Sequence, residues 1–231
     1  MKNVVNEKPR LEQHGRTKFN IDFVSKADMV NKSILDVGCG YGWFELACVN
    51  KKCFKVVGIE PSEKDLLTAR KNIKNPQIKF IKGSALSLPF NDNQFDTVVS
   101  WEVIEHIPQK TERQMFKEIS RVLKPNGTFY LSTPNKSFFS NVFDPAWWLT
   151  GHRHYSLKKI KEIGKKSNFK ITDSIIKGAW WEIFYVLNLY ISKWIFRRDQ
   201  FFVNYFNKKV DQEFKNKIGF TTVFCKFVNK K

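Results

Sequence analysis

A short apolar run, Ser33–Val37, ends in the glycine-spaced turn Asp36-Val-Gly38-Cys39-Gly40-Tyr-Gly42, and apolar residues resume at helical spacing over Phe44–Val49. A strand that passes through such a turn into a helix is the first half of a βαβ unit, which constrains everything after it. Glycine admits positive φ and lets a ligand approach the backbone closely. The helix N-terminus that follows presents free N–H groups to something polar or negative. A tight strand-to-helix turn can also demand glycine with no ligand, so the turn alone leaves both readings open.

The rest of the chain continues the alternation. Phe54–Ile59 reads as a second buried strand, Pro61–Asn72 as a helix, Ile78–Lys82 as a third strand and Phe95–Trp101 as a fourth. A helix over about Thr111–Leu123 leads through the turn Lys124–Gly127 to a fifth strand, Thr128–Ser132. Leu157–Ser167 reads as a helix, Phe169–Lys177 as a sixth strand and Phe220–Val228 as a seventh, rich in β-branched and aromatic residues. Near-continuous apolar strands separated by helices indicate an α/β fold with a parallel sheet covered on both faces.

With 231 residues, 42% hydrophobic and 27% charged, the chain is long enough for one globular domain with a full core. Its first residues are polar and show no apolar stretch of the secretory kind. The cysteines Cys39, Cys48, Cys53 and Cys225 form no CxxC pair, so the expectation is a cytoplasmic protein without disulfides or bound metal.

Glu60 stands at the end of the second strand, 20 residues after Gly40. A carboxylate there can accept hydrogen bonds from both ribose hydroxyls of an adenosine ligand. The loop is DxGxGxG rather than GxGxxG, which puts Asp36 where a pyrophosphate would be repelled. An acid at that point suits an amino-acid moiety, which argues against nicotinamide or flavin.

With these motifs in order, the chain resembles the class I S-adenosylmethionine-dependent methyltransferases, particularly their small-molecule branch. ILDVGCGYG is similar to the family's first motif and GIEPS to its ribose-binding motif. GSALSLPFNDNQFDTVVSWEVIEHI and RVLKPNGTFYLSTPN are similar to its adenine-binding, fourth-strand and fifth-strand segments; the likeness covers about residues 30–178. It implies a Rossmann-like, doubly wound seven-stranded sheet, mostly parallel with an antiparallel last strand. The whole of residues 1–231 is then one methyltransferase domain, with core at about 30–178 and 219–229 and a helical insertion at about 179–218.

The resemblance also implies a cofactor, S-adenosyl-L-methionine, and residues to hold it. Gly38, Cys39 and Gly40 would face the methionine part, with Asp36 and Gly42 as further cofactor-binding residues of the same turn. Glu60 would hold the ribose, with Pro61 and Ser62 beside the adenine and Ser84, Ala85 and Leu86 at its edge. The family often has aspartate where Ser84 stands. Trp101 and Glu102 would line the transfer chamber, and Arg16, on an N-terminal helix, would cap the cofactor's carboxylate.

A sulfonium methyl is already activated, so the protein chiefly aligns the acceptor and excludes water. A base matters when the acceptor is a hydroxyl. Glu102-Val-Ile-Glu105-His106 reads as a helix start with three polar groups near one face. It is similar to the E-x-x-E-H of ubiquinone-pathway O-methyltransferases, associated there with a divalent metal; the reading taken is a metal-free one. Gly151-His152-Arg153-His154-Tyr155-Ser156 follows the aromatic Asp144–Trp148, and its histidines suit proton transfer near neutral pH. The candidate catalytic residues are therefore His154, His152, Glu102 and His106. No [DNS]PP[YF] follows the fourth strand, which disfavours methylation of a DNA base amine.

Ala179–Phe196 is aromatic and interrupted by Glu182, Asn188, Ser192 and Lys193 on one arc of a helical wheel. Trp180, Ile183, Leu187, Tyr190, Ile191 and Trp194 fill the other side, which predicts an amphipathic lid whose apolar face roofs the pocket. Residues 150–231 hold 18 Lys/Arg against 6 Asp/Glu, two thirds of the chain's net charge of +18. Tryptophan and tyrosine beside basic residues suit a membrane interface. The expected acceptor is a small or lipid-linked molecule, with peripheral membrane contact through 179–210. Methylation of RNA by the basic last third, or a non-catalytic membrane-surface module, stand as alternatives.

Overall fold

The computed structural model describes residues 8–49 and 51–231, apart from the side chains of residues 149 and 150. The polar N-terminal segment read above therefore falls partly outside the described residues. Along the chain run α1 (Gly15–Phe23), β1 (Ser33–Val37), α2 (Trp43–Cys48), β2 (Lys55–Glu60), α3 (Glu63–Asn72), β3 (Ile78–Lys82), β4 (Phe95–Trp101) and α4 (Glu112–Val122). They continue as β5 (Leu123–Pro134), α5 (Phe138–Phe143), α6 (Pro145–Thr150), α7 (Leu157–Lys165), β6 (Phe169–Lys177), α8 (Trp180–Tyr190), α9 (Val203–Lys215) and β7 (Thr222–Asn229).

The strands form one seven-stranded sheet in the order β3-β2-β1-β4-β5-β7-β6. β1 pairs in parallel with β2 and β4, and β7 is antiparallel to both of its neighbours, β5 and β6. The order reverses between β1 and β4, and the crevice at the carboxyl ends of those strands is where an open α/β sheet binds ligands. The two faces are built differently. Phe116, Phe129, Phe169 and Phe227 interlock under α4 and α7 on one face. Phe44, Trp101 and Tyr130 fill the other, toward α1 and α2.

Two local readings change. β5 begins at Leu123, which pairs with Phe95, so Lys124–Gly127 is an irregularity inside the strand, with Asn126 left-handed at φ 59°. Residues 102–110 form turns rather than a helix start. Glu102 is itself left-handed at φ 57°, the His106 N–H donates to the Val103 carbonyl, and α4 begins only at Glu112. Bulky residues at positive φ cannot continue a right-handed helix.

The insertion consists of α8, a π-helical turn at Ile191–Ile195, and α9. α8 has no cap of its own; the Glu213 carboxylate on α9 accepts from the N–H groups of Ala179, Trp181 and Glu182 at 2.8–3.0 Å. A carboxylate at a helix N-terminus satisfies orphan donors and opposes the positive end of the dipole. Asp211 does the same for α1, accepting from the Gly15 N–H at 2.7 Å and meeting His14 Nδ1 at 2.8 Å. Val210, Phe214 and Phe224 then tie α9 to the sheet beneath α1. Among the described residues no helix is long and apolar enough to cross a membrane.

Candidate active site

The turn after β1 is built around a carboxylate. Glu60, at the end of β2, accepts from the Gly40 N–H at 3.1 Å and from the Ser62 N–H at 3.0 Å, which holds its side chain beside the glycine turn. Gly38, Gly40 and Gly42 lie at φ 83°, 53° and 87°. Gly38 and Gly40 have different reasons for being glycine. A Cβ on Gly38 would drive into the Val103 side chain, whereas one on Gly40 would meet nothing within 4 Å. The space over Gly40 is open to a ligand.

Asp36 is buried beneath this turn with Oδ1 unpartnered. Burial, and then the Glu60 charge, raises its pKa well above the carboxylate range. The Cys39 thiol is pushed up by burial and by Glu45, Asp36 and Glu60, and stays neutral. Pro61 is exposed, and Ser62 caps α3 by accepting from the Asp65 N–H. Across the crevice the Ser84 hydroxyl accepts from the Leu86 N–H at 3.2 Å, and Ala85 and Leu86 pack on the core. Trp101 is buried with its indole N–H unpartnered.

Beside this crevice lies a cavity of about 390 Å³, roofed by α8 and walled by α5, α6 and the ends of β4 and β5. Glu102 reaches it from the end of β4, with Oε2 on Arg16 at 2.5 Å and Oε1 unpartnered. The Nε2 atoms of His106 and His152 lie 3.2 Å apart in its wall. His152 Nδ1 faces Asp144 Oδ2 at 3.2 Å; the same oxygen meets His154 Nε2 at 2.7 Å, and His154 Nδ1 reaches Asn141 Oδ1 at 2.7 Å. Burial works against the Asp144 charge, but hydrogen bonds from His152, His154 and the Ala146 N–H hold its carboxyl well below the usual range. Burial, together with the neighbouring His152 and Arg153, lowers His106 to about 4. Near neutral pH a neutral imidazole therefore faces the cavity.

The fold thus joins groups far apart in the chain, though not all as expected. His152, His106 and Glu102 line the cavity together. His154 does not: its side chain is fully buried and both ring nitrogens are engaged, so it braces Asp144 instead. Arg16 sits between Glu102 and Glu182 in the cavity wall. Arg153, flanked by the histidines, clamps the 104–107 turn by donating to the carbonyls of Ile104, Glu105 and Ile107 and to Glu112. Asp144 and Glu182 were missed as site residues. Asp144 had a signal, as the N-cap of α6 ahead of Pro145, whereas Glu182 had only its place among aromatics.

α8 also turns the opposite way. Glu182 and Ser192 are buried, while Trp180, Phe184, Ile191 and Trp194 are exposed. The polar arc faces inward because it has partners there. Glu182 accepts from Thr221 and pairs with Arg16, and Asn188 donates to the Phe201 carbonyl at 2.7 Å. Only Ile183, Val186, Leu189 and Tyr190 of the helix supply the apolar roof.

Strand order, switch-point crevice and glycine turn define a doubly wound α/β fold whose crevice has the form that accepts an adenosine-containing ligand. Residues 35–131 match the family described as a methyltransferase domain. A ubiquinone biosynthesis O-methyltransferase of Dictyostelium discoideum is 31% identical over 48% of this chain and 37% of its own. One of Rickettsia bellii is 29% identical over 78% of this chain and 75% of its own. The chain spans between 30% and 54% of the length of most of the curated relatives it matches. A solved S-adenosylmethionine-dependent methyltransferase from Mesorhizobium loti superposes with TM-score 0.67 at 15% identity, covering 95% of this chain and all of that one. Residues 35–131 thus carry the methyltransferase-domain match, and the chain shares the fold of that solved methyltransferase.

Proposed function

We propose that the chain transfers the methyl group of S-adenosylmethionine to a hydroxyl of a small or lipid-linked acceptor held under α8. The observation that carries this reading is the His106–His152 pair, with His106 held neutral by burial, facing the cavity beside the cofactor crevice. The cofactor supplies an electrophilic methyl on a sulfonium. The residues present fit it: an open space over Gly40, the fixed Glu60 carboxylate, and the unpartnered Asp36 oxygen.

The chain's own part is positioning and proton transfer. Ile183, Val186 and Tyr190 hold the apolar body of the acceptor and exclude water, leaving its hydroxyl toward the histidines. The acceptor O–H bond breaks as the oxygen–carbon bond forms and the sulfur–carbon bond breaks. The proton passes to His152, whose imidazolium is stabilised by Asp144 through Nδ1. The products are a methyl ether, S-adenosylhomocysteine and that proton. The four cysteines are free and buried, which supports a reducing, cytoplasmic location.

A second reading has one observation in its favour. Ligating atoms of Glu105, His106 and His152 lie within 4.8 Å of one another, and the buried Glu105 Oε1 has no partner. A divalent ion held there would act as a Lewis acid on a catecholate. The test is incubation with methyl-labelled cofactor and alkylcatechols, after chelator treatment and with Mg²⁺, Mn²⁺ or Zn²⁺ restored. Labelled ether formed without metal supports the first reading, and strict metal dependence the second. Transfer only to amines or thiols would overturn both.

A further inference from the structure

The outward side of α8 carries a single apolar stripe. Trp180, Phe184, Leu187, Ile191 and then Trp194 and Ile195 recur at spacings of four, three, four and three or four, which is one face of a helix. At 1.5 Å per residue this stripe is roughly 20 Å long. Trp180, Phe184, Ile191, Trp194 and Ile195 are 41%, 46%, 43%, 42% and 70% exposed. At its N-terminal end the stripe continues onto α5: Phe139 and Phe143 pack their rings on Trp180 at 5.0 and 5.7 Å, and Phe138 is 75% exposed beside them.

A helix of a soluble chain buries its apolar side and shows its polar side, because apolar area removed from water contributes about 25 cal/mol per Å². Here the polar side is turned in, where Glu182, Asn188 and Ser192 have partners, and the aromatic side is left to solvent. Scattered exposed apolar residues need no explanation, but a contiguous face made by two elements marks an interaction surface. Its chemistry names the occupant. Phenylalanine and tryptophan dominate it, and the exposed Arg197 and Arg198 follow directly at its C-terminal end. Rings beside guanidinium groups suit the boundary between acyl chains and anionic headgroups. The mouth also agrees, since Phe143 of α5 and Ile183, Val186 and Tyr190 of α8 line the catalytic cavity from the elements that carry the face.

We propose that α5 and α8 dock this chain on anionic phospholipid bilayers, with the acceptor cavity opening toward the acyl region between them. This rests on the methyl-transfer reading only for the purpose of the orientation; the docking itself is measured without cofactor or acceptor, so either can fail alone. The test is co-sedimentation with vesicles of phosphatidylcholine alone or with 30–40% phosphatidylglycerol, a range chosen to give roughly the charge at which basic residues become effective. The expected result is binding to the anionic vesicles, with tryptophan emission shifted to the blue and quenched by brominated acyl chains. Phe184→Ser with Ile195→Ser should weaken binding at least about tenfold, and Arg197→Gln with Arg198→Gln about fivefold per charge at low salt. Both variants should keep wild-type cofactor affinity, which shows that they fold. Failure of the wild type to bind, or binding unaffected by the apolar pair, would overturn the proposal. So would a solution dimer abolished by the same pair, because the face would then be an interface between two copies.

Discussion

Replacing Gly40 and Gly38 separately by alanine distinguishes a glycine kept for a ligand from one kept for packing. Both residues have positive φ, so each alanine carries about 1–2 kcal/mol of left-handed strain. At Gly40 that is the whole cost to the fold, because a Cβ there meets nothing within 4 Å. At Gly38 the added carbon overlaps one Val103 methyl and lies 3.3 Å from the other, and overpacking of that kind adds about 1–3 kcal/mol. With about 2–4 °C per kcal/mol for a chain of this size, Gly40→Ala should lower Tm by about 2–8 °C and Gly38→Ala by about 4–20 °C. Val103→Ala should restore part of the Gly38→Ala loss and none of the other. Calorimetric titration with S-adenosylmethionine should rank the two in the opposite sense. Gly40→Ala, the milder change to the fold, puts a methyl where the cofactor backbone must lie and should weaken binding at least about 100-fold, near 2.7 kcal/mol. Affinity within threefold of wild type in Gly40→Ala would refute the placement of the cofactor over this turn.

Three further outcomes follow from the buried charges. Burial raises Glu182 to about 7 against the pull of Arg16, so the folded chain binds its proton more tightly than the unfolded one. The stability it contributes is full below the ordinary glutamate range and is lost as pH rises from about 4.5 to about 7, on the order of 3 kcal/mol. In Glu182→Gln, thermal unfolding should lose that slope and gain stability relative to wild type at pH 8; an unchanged slope would contradict the assignment. Glu213→Ala removes the acceptor for three N–H groups of α8 and should cost about 1–3 kcal/mol, with proteolytic cleavage appearing first within 179–215. Asp144→Asn should leave cofactor affinity unchanged while lowering turnover and shifting its pH profile, because it removes the charge that faces both His152 and His154.

What the sequence showed and what it hid divide along physical lines. β1, β2 and β4 were legible because strands buried on both faces are written as unbroken apolar runs. The turn Asp36–Gly42 and Glu60 were legible because one strand end and one loop fix their relation. His106 and His152 stand 46 residues apart, and only the fold brings their Nε2 atoms together. The burial of His154 was not legible, since His152 and His154, two residues apart, both reach Asp144 Oδ2, and only the packing of Asn141 and Trp147 against His154 decides which of them meets the cavity. Arg16 and Glu102 read as separate site residues and are in fact one ion pair. The amphipathic pattern of α8 was read correctly as a pattern and wrongly as an orientation. A helical wheel reports two faces; it does not report that Arg16, Thr221 and the 196–202 return would supply partners for the polar one.

In the proposed mechanism His152 takes the proton of a hydroxyl acceptor under α8. The deciding measurement is single-turnover transfer from methyl-labelled S-adenosylmethionine to an alkylcatechol, compared in wild type and His152→Ala. Labelled methyl ether is expected from the wild type and a rate lower by about 10²–10⁴ in the variant, with cofactor affinity unchanged. Equal rates in the two proteins, or label recovered on nitrogen, would contradict it.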